Sequence, residues 1–123
     1  MRITLKIFLT TIAFAMAFFG YWLINPDTRL ESPGCAFATI IIPKHGTQYA
    51  KGYSNHGFSQ IKHGASELEV IELLGEPIKR WTDHNDVLRF SYSKYVGCEN
   101  YHIRQVIFDE GKVISKRAYY YMD

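Results

Sequence analysis

The sequence predicts an α+β domain in which two short helices pack on a three- or four-stranded antiparallel sheet (ααβββ), preceded by one N-terminal transmembrane helix. Three stretches predict it. Residues 7–24, IFLTTIAFAMAFFGYWLI, carry no charge. Residues 64–77, GASELEVIELLGEP, carry both the start and the stop signals of a short helix. After Pro77 the hydrophobic period changes to two, and Leu88, Phe90 and Tyr92 alternate with Arg89 and Ser91.

Eighteen helical residues at about 1.5 Å each span roughly 27 Å, enough for a bilayer core. Arg2 and Lys6 precede the apolar stretch, which predicts a cytoplasmic N-terminus and an exported C-terminal part. The expectation is a single-pass inner-membrane protein with a periplasmic domain. A signal peptide cleaved after Ala15 or Ala17 is the alternative, but it would leave Phe18 to Ile24 as an apolar mature terminus. The chain thus divides into an anchor or signal (1–25), a linker and extended arm (26–56) and the domain (57–123).

In the linker, NPDTRLESPGC reads as a polar tether, and the β-branched end of residues 36–42, AFATIII, predicts an extended segment. That segment can join the sheet of its own chain or of a neighbouring copy, so self-association stays open. Residues 45–57 hold three glycines and read as a loop. A short first helix follows around Phe58 and Ile61, ended by Gly64.

Ser66 is an N-cap, and Glu69 three residues later completes a capping box. Val70, Leu73 and Leu74 give the helix an apolar stripe, Gly75 supplies the C-terminal turn, and Pro77 prevents continuation. The strands are expected over residues 78–81, 87–93, 101–108 and 113–121. The third has two candidate inward faces, Ile103/Ile107 or Val106/Phe108. Gly111 supplies the positive φ of the last hairpin, with a bulge.

Composition and motifs exclude several functions. Of the 14 basic residues, 12 remain once Arg2 and Lys6 are set aside, and they balance the 12 acidic ones. No nucleic-acid footprint is present at that balance. The five histidines form no zinc-ligand spacing, and no nucleophile elbow or triad frame occurs. The reading is therefore of a non-catalytic chain without metal or cofactor. Cys35 and Cys98 both lie in the exported part, where an oxidising compartment permits a disulfide, with two free thiols or lipidation of Cys35 as the rivals. Tyr119, Tyr120 and Tyr121 form an aromatic last strand suited to an interface, with Tyr120 on the opposite face from its two neighbours.

Ile61-Lys62-His63-Gly64, then Val70 to Pro77, then Leu88 to Tyr92, Val106-Ile107-Phe108 and Gly111-Lys112-Val113 resemble the SmpA/OmlA family of small bacterial envelope proteins over residues 57–115. The resemblance implies an ααβββ periplasmic domain that binds an envelope protein partner, as an accessory or scaffold in outer-membrane or envelope assembly. Two departures stand against the assembly role. Cys35 lies far beyond the place of a lipobox cysteine, and the chain ends in Tyr119-Tyr120-Tyr121-Met122-Asp123 instead of a polar tail. The alternative is an inhibitor-like or ligand-sensing module that uses a concave sheet face lined by Tyr92, Tyr101 and Tyr119.

Overall fold

The computed structural model describes residues 2–25, 29–41, 46–97 and 100–122. Its elements run α1 (Arg2–Ile24), α2 (Pro33–Ile41), β1 (Thr47–Tyr49), α3 (Asn55–Gln60), α4 (Glu67–Leu74), β2 (Lys79–Thr82), β3 (Leu88–Ser91), β4 (Ser93–Tyr95), β5 (Tyr101–Asp109) and β6 (Lys112–Tyr121). The class is α+β, but the expected layout needs correction. Among the described residues there are four helices, and six strands divided between two sheets. A four-stranded antiparallel sheet has the order β2-β3-β5-β6, and β1 pairs with β4 in a second, two-stranded sheet.

Within α1, residues 3–24 form an apolar helix long enough to cross a membrane, consistent with an anchor or with a signal sequence. The next element overturns an expectation. Residues 33–41 are helical, although 36–42 was expected to be extended. The start signal outweighs the β-branched tail: Ser32 accepts the Cys35 N–H through its hydroxyl, and Pro33 occupies the first helical position. Packing then fixes the helix, since Ala36 and Thr39, three residues apart, are buried.

The expected Cys35–Cys98 disulfide is also absent. Cys35 is a free thiol whose sulfur accepts the Ser32 hydroxyl at 3.3 Å, and Cys98 lies outside the described residues.

The two domain helices close on each other through glycine. Helix α3 begins earlier than expected, inside the stretch read as loop, because Ser54 caps it by accepting the Gly57 N–H. A Cβ at Gly57 would stand 2.9 Å from the Leu73 carbonyl oxygen, so only glycine permits this approach to α4. Helix α4 carries the capping box as expected. Ser66 N–H donates to Glu69 Oε2 at 2.6 Å, and Glu69 N–H donates to Ser66 Oγ at 3.2 Å. The Ser66 backbone and hydroxyl hold the Glu69 carboxyl below the usual range.

Val70 and Leu74 are fully buried, but Leu73 is 40% exposed, and Ile71 replaces it in packing against the core. Gly75 caps α4 at φ 73° and ψ −168°. That is the glycine-only region with extended ψ. Pro77 lies in the connection to β2.

One face of the large sheet carries Phe90, Tyr92, Val106, Phe108 and Val113, packed against Phe58, Ile61, Val70 and Leu74. Fully burying each such apolar side chain is worth about 1.5–3 kcal/mol. The Tyr92 hydroxyl donates to the Gly75 carbonyl at 3.1 Å, and burial pushes its pKa up. At the end of the β5–β6 hairpin, Glu110 and Gly111 both have positive φ, the signature of a type I′ turn. The expected bulge lies next to it, where the register shifts between Ile107 and Phe108.

Candidate functional site: the outer sheet face and the clasp

The alternation of β5 decides what the sheet presents on each side. Val106 and Phe108 face the helices, so His102 and Arg104 must face the same way. Both are buried, Arg104 completely. A guanidinium there requires a partner, and the tether supplies one. Glu31 Oε1 accepts Arg104 Nη1 at 2.7 Å and His102 Nδ1 at 2.6 Å. The carboxylate oxygen can only accept, which places the proton on Nδ1.

Arg104 further donates through Nε to the Tyr53 hydroxyl at 3.1 Å and through Nη1 to the Ile103 carbonyl at 2.9 Å. Tyr53 donates to Asn55 Oδ1 at 2.7 Å and stacks on Tyr49 with ring centroids 4.8 Å apart. Burial alone would lower the pKa of Arg104. The Glu31 carboxylate, with Tyr53 and Tyr49, outweighs burial and holds the guanidinium above its ordinary value. The other carboxylate oxygen, Glu31 Oε2, is buried without a hydrogen-bond partner among the described residues.

This cluster joins the apolar helix to the sheet. Trp22 Nε1 donates to the Glu31 carbonyl at 3.1 Å, and the Tyr21 hydroxyl lies 3.5 Å from Thr39 Oγ1. Helix α2 packs against β6 and against α1. We call the arrangement the clasp. The Glu31 and Arg104 side chains are both at 0% exposure, so this pair is closed to solvent. It fixes the tether on the domain.

The opposite face of the large sheet follows from the same register. Trp81, Arg89, Ile107 and Ser115 form one cross-strand row, and Lys79, Ser91, Gln105 and Arg117 the next. Ile103 then pairs with Tyr119, and Tyr101 with Tyr121. Lys79, Arg117 and Tyr121 are exposed, and Trp81, Arg89, Gln105, Tyr101 and Tyr119 are half-buried. Tyr101 touches Tyr95 and Tyr121, with ring centroids 5.9 Å and 5.8 Å apart. Burial first, then the neighbouring Tyr119, Tyr121 and Tyr95, raises the Tyr101 pKa. Arg89 is held in place by two hydrogen bonds to Asp83 Oδ2, at 2.8 and 3.0 Å.

Of the three tyrosines singled out in the sequence, Tyr119 and Tyr121 therefore share this outer face. Tyr120 does not; it is buried on the helix side with its ring 5.0 Å from His102. Tyr92 is fully buried on the helix side as well, so Tyr92, Tyr101 and Tyr119 do not line one surface. Trp81 lies on the outer face, paired with Arg89.

Sequence reasoning missed Glu31, Tyr53, His102 and Arg104. A signal existed: once Val106 and Phe108 are taken as the inward pair, Arg104 is inward too, and the tether holds an unassigned acid. Among the described residues no group of His, Cys, Asp and Glu is arranged to hold a metal ion. Comparison of the chain with protein-family models, with curated proteins and with solved structures finds no match.

Proposed function

We propose that this chain is a membrane-anchored envelope protein that acts by binding another envelope protein through the outer face of its sheet. The observation that carries the reading is the composition of that face. Trp81, Arg89, Arg117, Tyr119 and Tyr121 stand on one surface, and Trp, Tyr and Arg are the side chains enriched at binding hot spots. Tyrosine and tryptophan bring large area with a polar end, and arginine brings a rigid set of donors.

Retention of the apolar helix is supported by its contacts. Phe18 meets Phe37, Tyr21 meets Thr39, and Trp22 holds the Glu31 carbonyl, so the last turns of α1 are part of the folded unit. Arg2 and Lys6 at its start favour a cytoplasmic N-terminus and a periplasmic domain. The resemblance of residues 57–115 to SmpA/OmlA proteins favours a role in binding an envelope protein. The test is capture from crosslinked cells expressing the full chain with a C-terminal tag, against an anchor-only control. One envelope protein is expected to be enriched. Tyr119→Ala or Arg117→Glu should weaken its capture by about 30-fold, the equivalent of about 2 kcal/mol. Leu68→Ala, an exposed position on α4, should leave capture unchanged. Equal capture by all three variants would remove the sheet face from the reading.

A further inference from the structure

Helix α2 presents a face that nothing in the proposed binding role uses. Phe37, Ile40 and Ile41, at i, i+3 and i+4, are 47%, 47% and 60% exposed, and residues 33–41 contain no charged side chain. Its polar side chain Thr39 is turned inward, donating to the Ala36 carbonyl at 2.7 Å and meeting Tyr21. The geometry points to α2 as a membrane-embedded helix whose Phe37, Ile40 and Ile41 enter the hydrocarbon of the export-side leaflet beside α1.

The depth follows from one contact. A hydrocarbon core of about 30 Å takes about 20 helical residues. The apolar helix supplies residues 3–24, so a 20-residue window can run from 3–22 to 5–24. Phe18 then lies about four to six residues inside the export-side end, roughly 6–9 Å at 1.5 Å per residue. The Phe37 ring packs edge-on against Phe18, with centroids 6.2 Å apart. That contact holds Phe37 beside Phe18, level with the last turns of α1. A helix satisfies its own backbone hydrogen bonds and can enter hydrocarbon, as an irregular tether could not. Tyr21 and Trp22 occupy the level at which amphipathic rings favour the interface. The bilayer is thus the occupant of the α2 face, continuous with the surface of α1. The consequence is functional: a domain fixed at two points on the membrane presents its sheet face at a set angle.

This inference rests on the anchor reading, and the experiment separates the two. The full chain carrying Cys35→Ser and Cys98→Ser is placed in phosphatidylethanolamine/phosphatidylglycerol nanodiscs with one spin label at a time. The labelled positions are Ile40→Cys, Ile41→Cys, Phe14→Cys in α1, and Asn85→Cys in the β2–β3 turn at the far end of the sheet. Collision with oxygen, which partitions into lipid, is compared with collision with an aqueous nickel chelate. Positions 14, 40 and 41 should favour oxygen at least about fivefold more than position 85, and circular dichroism should match the parent chain. Oxygen preference at 14 with nickel access at 40 and 41 overturns the inference and leaves the anchor standing. Nickel access at 14 as well overturns both. Protection of 40 and 41 from both reagents, with dipolar broadening between chains, assigns the face to a second copy and overturns the lipid assignment.

Discussion

Replacing Glu31 with leucine tests the clasp at its centre. The substitution removes the acceptor of both Arg104 Nη1 and His102 Nδ1, while Arg104 stays fully buried and charged. Breaking a buried pair from one side costs about 3–5 kcal/mol, because the remaining charge is uncompensated. The bonds of Arg104 to Tyr53 and to the Ile103 carbonyl are to neutral groups. For a domain of 60–100 residues, each kcal/mol is worth about 4–8 °C in Tm, so even the lower figure predicts a fall of roughly 12 °C.

The double variant Glu31→Leu/Arg104→Met should recover most of that loss. Exchanging a whole buried ion pair for apolar groups of similar volume is often neutral or better. In that variant Tyr53 keeps its hydrogen bond to Asn55. The assay is thermal unfolding of the full chain in detergent, followed by far-ultraviolet circular dichroism, for the parent, both single variants and the double. A Glu31→Leu chain within about 3 °C of the parent would refute the clasp. So would a double variant whose loss equals the sum of the two singles, since coupled residues cannot be additive.

Two further outcomes follow from local geometry. Gly75→Ala should destabilise by about 1–3 kcal/mol in urea unfolding, because φ 73° with ψ −168° is a glycine-only conformation and the new Cβ would stand 3.1 Å from Gly52 Cα. At acid pH, Asp83 should contribute to the slope of stability. Its hydrogen bond from Arg89, then that from the Asn85 N–H, holds the folded carboxyl below its ordinary value of 3.8. The unfolded chain therefore binds the proton more readily, so this contribution is fully present above about pH 4 and is lost as pH falls through the folded value. Asp83→Asn should flatten the Tm-against-pH curve below pH 4, and an unchanged curve would show that the Arg89 pair does not matter to folding.

What could be read from the sequence was local. The Ser66–Glu69 box, the Leu88–Phe90–Tyr92 alternation and the Gly111 turn each follow from a few neighbouring residues, and each is found where its chemistry puts it. The errors arose where a long-range contact overrides a local preference. Residues 36–41 have strand-like β-branching, but a Ser-Pro start and the burial of Ala36 and Thr39 make them helical. Gly57 looks like a loop glycine and is a packing glycine, needed because the Leu73 carbonyl comes so close.

The candidate site was half legible. Period two separated Tyr120 from Tyr119 and Tyr121 without any structure. Which of those faces lies outward depended on the two-way ambiguity of β5, and Arg104 resolves it only through Glu31, 73 residues away. Likewise, β4 and β1 are three residues each and gain their identity from pairing with each other.

The central claim is that the outer sheet face meets a protein partner in the envelope. A photo-crosslinking amino acid placed in turn at Trp81, Arg117 and Tyr119, and at Leu68 on the helix side, tests it in living cells. A single discrete adduct with the same envelope protein from positions 81, 117 and 119, and none from 68, is the predicted result. Adducts of equal yield from position 68, or none from the three sheet positions, would contradict it.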